Sequence, residues 1–186
     1  MTADEAAVAV IDALDHAAIR FMIVGSLASN FHGIPRATRD ADFLIQLGSV
    51  SISDLATALP DDLRLEPQAA FEAVTGTTRY LVILRQSPFV CELFLCGDDP
   101  HDTARFARRE RVRVLSREVF MATAEDMIVT KLLWAMRANR AKDRDDVRNI
   151  IAVRDTELDW TYIERWCVAH HTLALLGNIR ASIPEV

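Results

Sequence analysis

The 186-residue chain predicts an α/β (α+β) fold: a mixed sheet backed by helices, closed by a short C-terminal helical tail. Two observations predict it. Apolar runs of strand length recur at 20–24, 40–46, 77–85 and 89–95, separated by helical stripes and Gly/Pro punctuation. From Thr123 onward the period turns helical and stays so.

Residues 4–18 place Ala7, Val8, Val10, Ile11, Leu14 and Ala18 on one stripe, with Asp12 and Asp15 outside it, which predicts a helix. Arg20–Val24 reads as a short buried strand. A helix from Ser26 to about Phe31 follows, and Gly33-Ile-Pro35 ends it. Residues 40–46 form the second strand. Ser51 or Ser53 caps a helix that stops near Pro60, where proline forbids continuation. The stretch 61–76 reads as irregular, with room for a short strand. Thr77–Arg85 and Phe89–Leu95 make a hairpin across Gln86-Ser-Pro88. A loop with a short helix covers 97–110, and Arg111–Leu115 is a further strand. Helices are expected at about 123–139, 143–153, 160–169 and 171–182, the first opened by Thr123 and Asp126 in the manner of a capping box. The predicted division is a core over 1–120 and a helical subdomain over 121–186.

Chemistry concentrates between Ile23 and Ile45. Gly25 lets backbone approach a ligand closely, and the helix start after it offers unpaired N–H groups to a phosphate. Ser26 can add its hydroxyl, though a plain helix cap is the alternative role. Asp40 and Asp42 are two apart on a strand and therefore share a face. Paired carboxylates suit Mg²⁺, which binds through one or two of them plus substrate phosphates. Phosphate cradle and metal clamp side by side are the equipment of phosphoryl or nucleotidyl transfer. Solvated surface acids are the plainer reading, disfavoured by the apolar Ala41 and Phe43-Leu-Ile45 around them.

Gly25-Ser26, thirteen residues, then Asp40-Ala-Asp42 resembles the signature of the polymerase-β-like nucleotidyltransferase superfamily. With His32-Gly33, Arg36 and Thr38 added, the string is similar to the small bacterial nucleotidyltransferases related to the AbiEii/AbiGii abortive-infection toxins. The resemblance covers roughly residues 20–150. It implies a polymerase-β-like fold, two Mg²⁺ ions, an NTP as donor and transfer of a nucleoside monophosphate to an acceptor hydroxyl. The acceptor would be a tRNA 3′ end, a protein or a small molecule such as an aminoglycoside, and a cognate antitoxin is a candidate partner.

The superfamily supplies a third carboxylate from a later strand, and Glu92 within Phe89-Val-Cys-Glu-Leu-Phe-Leu95 is the candidate. An unpaired Glu among apolar neighbours is costly, and metal binding would explain it. An edge strand with Glu92 facing water is the alternative, and Asp98 or Asp99 are the substitutes. By the same resemblance Lys131 meets the triphosphate, and Lys142-Asp143 with Asp146 matches a further element. Asp143 would cap the following helix while Asp146 orients Lys131 or the base. Otherwise Lys131 snorkels to solvent and the Arg/Asp cluster makes exposed helical charge pairs. His32 is read as shaping the helix end. Arg36 and Arg39 either neutralise phosphate or pair with the adjacent aspartates, and neither is assigned a catalytic role.

The net charge of −6 argues against a general nucleic-acid binder. Its distribution is uneven: 6 basic and 14 acidic residues in 1–100, 12 and 8 in 101–150, 3 and 5 in 151–186. The basic middle would face a triphosphate or an RNA end, or be a solvated mixed surface. Cys91, Cys96 and Cys167 have neither metal-ligand spacing nor an even count, so small apolar residues in a reducing cytoplasm are expected. No membrane span and no basic leader are read, so a cytoplasmic location is the expectation. Two other classes stand beside the enzyme. One is an NTP-binding, non-catalytic module of a toxin–antitoxin pair. The other is a helix-turn-helix regulator, disfavoured by the acidic ends and the lack of a clear recognition helix.

Overall fold

A computed structural model describes residues 1–184 of the chain. Helix α1 (Ala3–His16) opens with a capping box between Thr2 and Glu5 and buries Val10, Ile11 and Leu14. Strand β1 (Arg20–Val24) leads directly into α2 (Gly25–His32), and β2 (Asp40–Gln46) returns antiparallel to β1. Helix α3 (Ile52–Ala58) is capped by Ser51, with Asp54 completing a box.

The stretch expected to be irregular holds two three-residue strands, β3 (Leu63–Leu65) and β4 (Ala70–Glu72). Both are antiparallel to β5 (Thr77–Leu84), whose pairing supplies the order that so few residues cannot specify alone. Strand β6 (Val90–Leu95) forms the expected hairpin with β5 and also runs parallel to β2. Helix α4 (Pro100–Arg108) and β7 (Glu110–Val114) follow.

Strand β8 (Arg117–Met121) is the element the sequence reading missed. It pairs antiparallel with β7 and parallel with β1. The β7–β8 turn uses Leu115 and Ser116, both at positive φ (51° and 59°). Such turns normally carry Gly, Asn or Asp, so the usual hairpin signal is missing from the sequence. The expected division after residue 120 also falls inside this strand, one residue before its end.

Helices α5 (Ala124–Ala138), α6 (Ala141–Arg154), α7 (Trp160–Ala169) and α8 (Leu173–Ala181) complete the chain, with a 3-10 turn at Asp155–Glu157. The capping box expected at α5 forms only one arm. Thr123 Oγ1 accepts from the Asp126 amide, while the Asp126 carboxylate turns to the Thr123 hydroxyl and Tyr162. The sheet order is β3-β5-β6-β2-β1-β8-β7, with β4 on β5. Its centre, β6-β2-β1, is the most buried part: Phe43, Ile45, Leu93 and Ile23 are fully covered. Cys91 and Cys167 are buried free thiols, and Cys96 is half-buried and free. Among the described residues, no helix is long and apolar enough to cross a membrane.

Candidate active site

The site lies where β1 and β2 meet α2. Strand β1 ends at Val24, which pairs with Asp42, and the chain turns at once into α2 through Gly25 at φ +60°. This sharp turn brings the Ser26 amide to within 3.3 Å of Asp42 Oδ2, and the amide donates to it. The parallel register of β2 and β6 sets Asp42 beside Glu92, on the face Asp42 shares with Asp40. Asp40, Asp42, Glu92, Ser26 and Lys131 all line one cleft of about 250 Å³.

Strand β6 lies between β5 and β2, so the edge-strand alternative for Glu92 does not hold. Its carboxylate is not unpaired, however: Arg79 Nη1 donates to Glu92 Oε1 at 3.0 Å from β5. Asp98 and Asp99, the substitutes, lie outside this cleft and line a neighbouring one. Asp99 caps α4, accepting from the His101 and Asp102 amides.

Burial drives the Asp42 carboxyl up to about 7, with the nearby charges of Asp40 and Glu92 adding to it. Lys131 and the Ser26 amide offset only part of this rise. The donor set fits a hard divalent cation: it is all oxygen, carboxylate-rich, and lacks enough positive charge to settle Asp42. The side chains are not drawn together as they stand. Among the described residues, no three acidic, histidine or cysteine side chains are grouped closely enough to hold one ion. Asp40 takes a hydrogen bond from the Thr38 hydroxyl, Asp42 takes the Ser26 amide, and Glu92 takes Arg79.

Ser26 is not a helix cap, since the cap position of α2 is Val24. Its Oγ accepts from Arg36 Nη2 at 3.2 Å, which leaves the hydroxyl proton free for a ligand. Its amide, expected to be open to phosphate, is taken by Asp42. Arg36 was expected to pair with Asp40 or Asp42 if with any acid. Instead it grips Asp146 through two bonds, Nε to Oδ1 at 2.7 Å and Nη2 to Oδ2 at 3.0 Å. Asn30 clamps the Arg36 backbone from both sides, accepting its N–H and donating to its carbonyl.

Lys131 does not snorkel. It is 1% exposed, and Nζ lies 2.9 Å from both Asp143 Oδ1 and Asp146 Oδ2. The α6 acids are thus partners of Lys131 rather than an exposed helical cluster. Asp143 does not cap α6, whose cap position is Arg140; it lies in the first turn, accepts from Lys131 Nζ and ion-pairs with Arg140, whose Nε is 3.0 Å from Oδ2. Burial pushes Asp146 up, but the Arg36 hydrogen bonds and the Lys131 charge outweigh it and hold the carboxyl below its ordinary value. A continuous polar chain therefore runs Ser26–Arg36–Asp146–Lys131–Asp143–Arg140. His32, buried, reaches the Ala122 carbonyl through Nε2 at 2.7 Å, consistent with a role in shape.

Arg36 and Arg79 are the contributors the sequence reading did not place. For Arg79 a signal existed: counting the hairpin register from Gln86-Ser-Pro88 sets it diagonal to Glu92 on the same face. For Arg36 there was none, because its partner is 110 residues away.

No protein-family model and no curated protein matches the chain. Solved structures do. The antibiotic-resistance factor ANT(2″)-Ia in solution superposes with a TM-score of 0.62, covering 96% of each chain at 13% identity. The chain has a nucleotidyltransferase fold. The crystal structure of ANT(2″)-Ia in complex with adenylyl-2″-tobramycin gives 0.60 over 92% of this chain and 98% of that one, at 15% identity. An antigenic nucleotidyltransferase-like protein from Paracoccidioides brasiliensis gives 0.57 over 98% and 94%, at 18% identity. At these identities it is the nucleotidyltransferase fold that is shared.

Proposed function

We propose that the protein is a Mg²⁺-dependent nucleotidyltransferase that moves a nucleoside monophosphate from an NTP to an acceptor hydroxyl. The observation that carries this reading is the juxtaposition of Asp42 and Glu92 across the parallel β2–β6 pair, beside the Gly25–Ser26 turn. Asp40, Asp42 and Glu92 are the groups that would hold the metal, which when bound neutralises carboxylate and phosphate charge and polarises the donor.

The chain's own residues then act by positioning and electrostatics. Ser26 offers its hydroxyl proton to a phosphate oxygen. Lys131, fixed by Asp143 and Asp146, supplies a preorganised positive charge on the cleft wall. Glu92, held by Arg79, would help take the proton from the acceptor hydroxyl. Residues 1–120 would form the catalytic core and 121–186 the helical subdomain that brings Lys131. The acceptor is a tRNA 3′ end, a protein or a small molecule, and the toxin–antitoxin setting is the physiological context the motifs suggest. The adenylyl-2″-tobramycin bound to one fold neighbour supports keeping a small molecule among the acceptors.

The ion pair between Arg79 and Glu92 favours a second reading, an NTP-binding module that acts through a protein partner without turnover. Incubation with Mg²⁺ and the four NTPs, with and without acceptors, separates the two. Pyrophosphate release that disappears in Asp42→Ala supports the enzyme. Tight Mg–NTP binding without turnover on any acceptor supports the module.

A further inference from the structure

The three carboxylates of the catalytic cleft are each held by a different donor: Asp40 by the Thr38 hydroxyl, Asp42 by the Ser26 amide, Glu92 by Arg79. The first two donors are neutral. Arg79 differs, bringing a full charge on a long side chain from β5. In the hairpin register it faces Phe94 and stands diagonal to Glu92. Drawing Glu92 in towards Asp40 and Asp42 therefore means breaking an ion pair. That pair is only partly covered, its side chains being 27% and 24% exposed, so it opens at modest cost.

The guanidinium is also under-used where it stands. Of its five N–H donors, Nη1 reaches Glu92 Oε1 at 3.0 Å, while the buried Nε has no hydrogen-bond partner among the described residues. A second acid, Glu72, lines the same cleft. Its Oε2 accepts the Thr75 N–H at 2.6 Å, which leaves Oε1 to face the cation. Burial pushes the Glu72 carboxyl up, but the hydrogen bonds from Thr75 and Val74 and the charge of Arg79 hold it below its ordinary value. Glu72 thus keeps Arg79 on this wall when Glu92 is withdrawn. Among the other lining cations, Lys131 and Arg140 are held by the α6 acids, and Lys142 stands exposed in the first turn of α6.

We propose that Arg79 is a phosphate ligand held in reserve: it neutralises Glu92 until a divalent cation claims that carboxylate, and its guanidinium then turns to the NTP phosphates. The proposal rests on the nucleotidyl-transfer reading given above. A planar fork with unused donors suits phosphate oxygens, which accept from two N–H groups at once. The Arg79–Glu92 pair is then a latch that couples the two ligands. A cation strengthens nucleotide binding by releasing Arg79, and by linkage the nucleotide strengthens cation binding equally.

The two halves of the latch are read separately on the full chain, without turnover. In the first, Mn²⁺ alone is titrated and the free ion counted by electron paramagnetic resonance. Arg79→Gln is expected to bind Mn²⁺ up to about fivefold tighter than the wild type, the worth of a partly exposed ion pair. Lys142→Gln removes the same charge from the same cleft without touching Glu92, and its effect should be smaller. In the second, ATP is titrated calorimetrically in EDTA. Glu92→Gln releases Arg79 and should bind ATP roughly tenfold tighter than the wild type, the low end for a hydrogen bond to a charged group. The double variant Arg79→Gln/Glu92→Gln should lose that gain. Arg79→Met, which keeps the apolar stem, takes the place of Arg79→Gln if circular dichroism shows the latter unfolded.

Mn²⁺ affinity in Arg79→Gln no tighter than in Lys142→Gln overturns the proposal. So does the lack of an ATP gain in Glu92→Gln, or a gain that survives in the double variant. These outcomes count against Arg79 alone when the wild type binds Mg–ATP. A wild type that binds no Mg–ATP removes the parent reading instead.

Discussion

Gly25 and Asp42 compete for one volume: a β-carbon on Gly25 would lie 1.8 Å from Asp42 Oδ2. The same glycine holds φ +60°, so any side chain there meets both strain and collision. Gly25→Ala is expected to fold with a loss of about 1–3 kcal/mol from the backbone alone. It should abolish Mg–NTP binding, because Asp42 must leave its place. Calorimetric titration beside a urea melt separates the two effects. Unchanged Mg–NTP affinity in this variant would remove Asp42 from the site.

Asp42 makes stability depend on pH in an unusual direction. Its folded-state value of about 7 lies above the ordinary 3.8, so the folded protein binds the extra proton between those limits. Stability is therefore highest below pH 4 as far as this group is concerned, is lost as pH rises through about 7, and levels off above that. Asp42→Asn is expected to raise stability at pH 8 by roughly 2–4 kcal/mol, or about 5–10 °C in Tm. The advantage should shrink steadily down to pH 5. Scanning calorimetry of both proteins across that range checks it. A gain that is the same at pH 5 and pH 8 contradicts the assignment.

Metal should reverse that penalty. At pH 8, millimolar Mg²⁺ is expected to raise the Tm of the wild type through binding to the folded state. Asp42→Asn and Asp40→Asn should lose most of the response. Chelation with EDTA should return the wild type to its starting Tm. An equal Mg²⁺ response in all three proteins would place the ion elsewhere.

Lys131 is buried between two acids, so its removal strands them. Lys131→Met is expected to cost about 3 kcal/mol, the usual scale for breaking a buried pair from one side. Arg36 and Arg140 remain on Asp146 and Asp143 and limit the loss. Adding Asp143→Asn to that variant should recover part of it. Urea unfolding of the single and double variants measures both steps, and the absence of recovery would deny the coupling.

Arg36 joins Ser26 to Asp146 through a planar fork that lysine cannot copy. Arg36→Lys should keep the fold but free the Ser26 hydroxyl from its orientation. Mg–NTP affinity is expected to fall by about tenfold, the low end of the worth of one hydrogen bond to a charged group. Titration calorimetry with circular dichroism as the folding control tests this. Full retention of affinity would make the Arg36 contact to Ser26 incidental.

Strand period, glycine freedom and helical stripes are local properties, and what rested on them was legible. Asp40 and Asp42 share a face because residues two apart on any strand do. Gly25 was picked out because a residue without a β-carbon lets backbone come close to a ligand. Cross-strand partners were not legible beyond the β5–β6 hairpin, whose turn sets Arg79 diagonal to Glu92. Glu92 stands on an interior strand with Arg79 as its partner, and neither fact follows from its apolar neighbours. Strand β8 went unseen because its turn carries Leu115 and Ser116 at positive φ without the residues that advertise such turns.

The chain by itself determined where the candidate chemistry gathers: two acids in phase, a glycine turn before a helix, and a lysine in an apolar stripe. Tertiary structure alone decided which of these meet. The link from Arg36 to Asp146 spans 110 residues, and Lys131 meets Asp143 and Asp146 only because α5 and α6 pack together. Contacts of that separation depend on strand order and helix packing, which emerge from the whole core rather than from any local run.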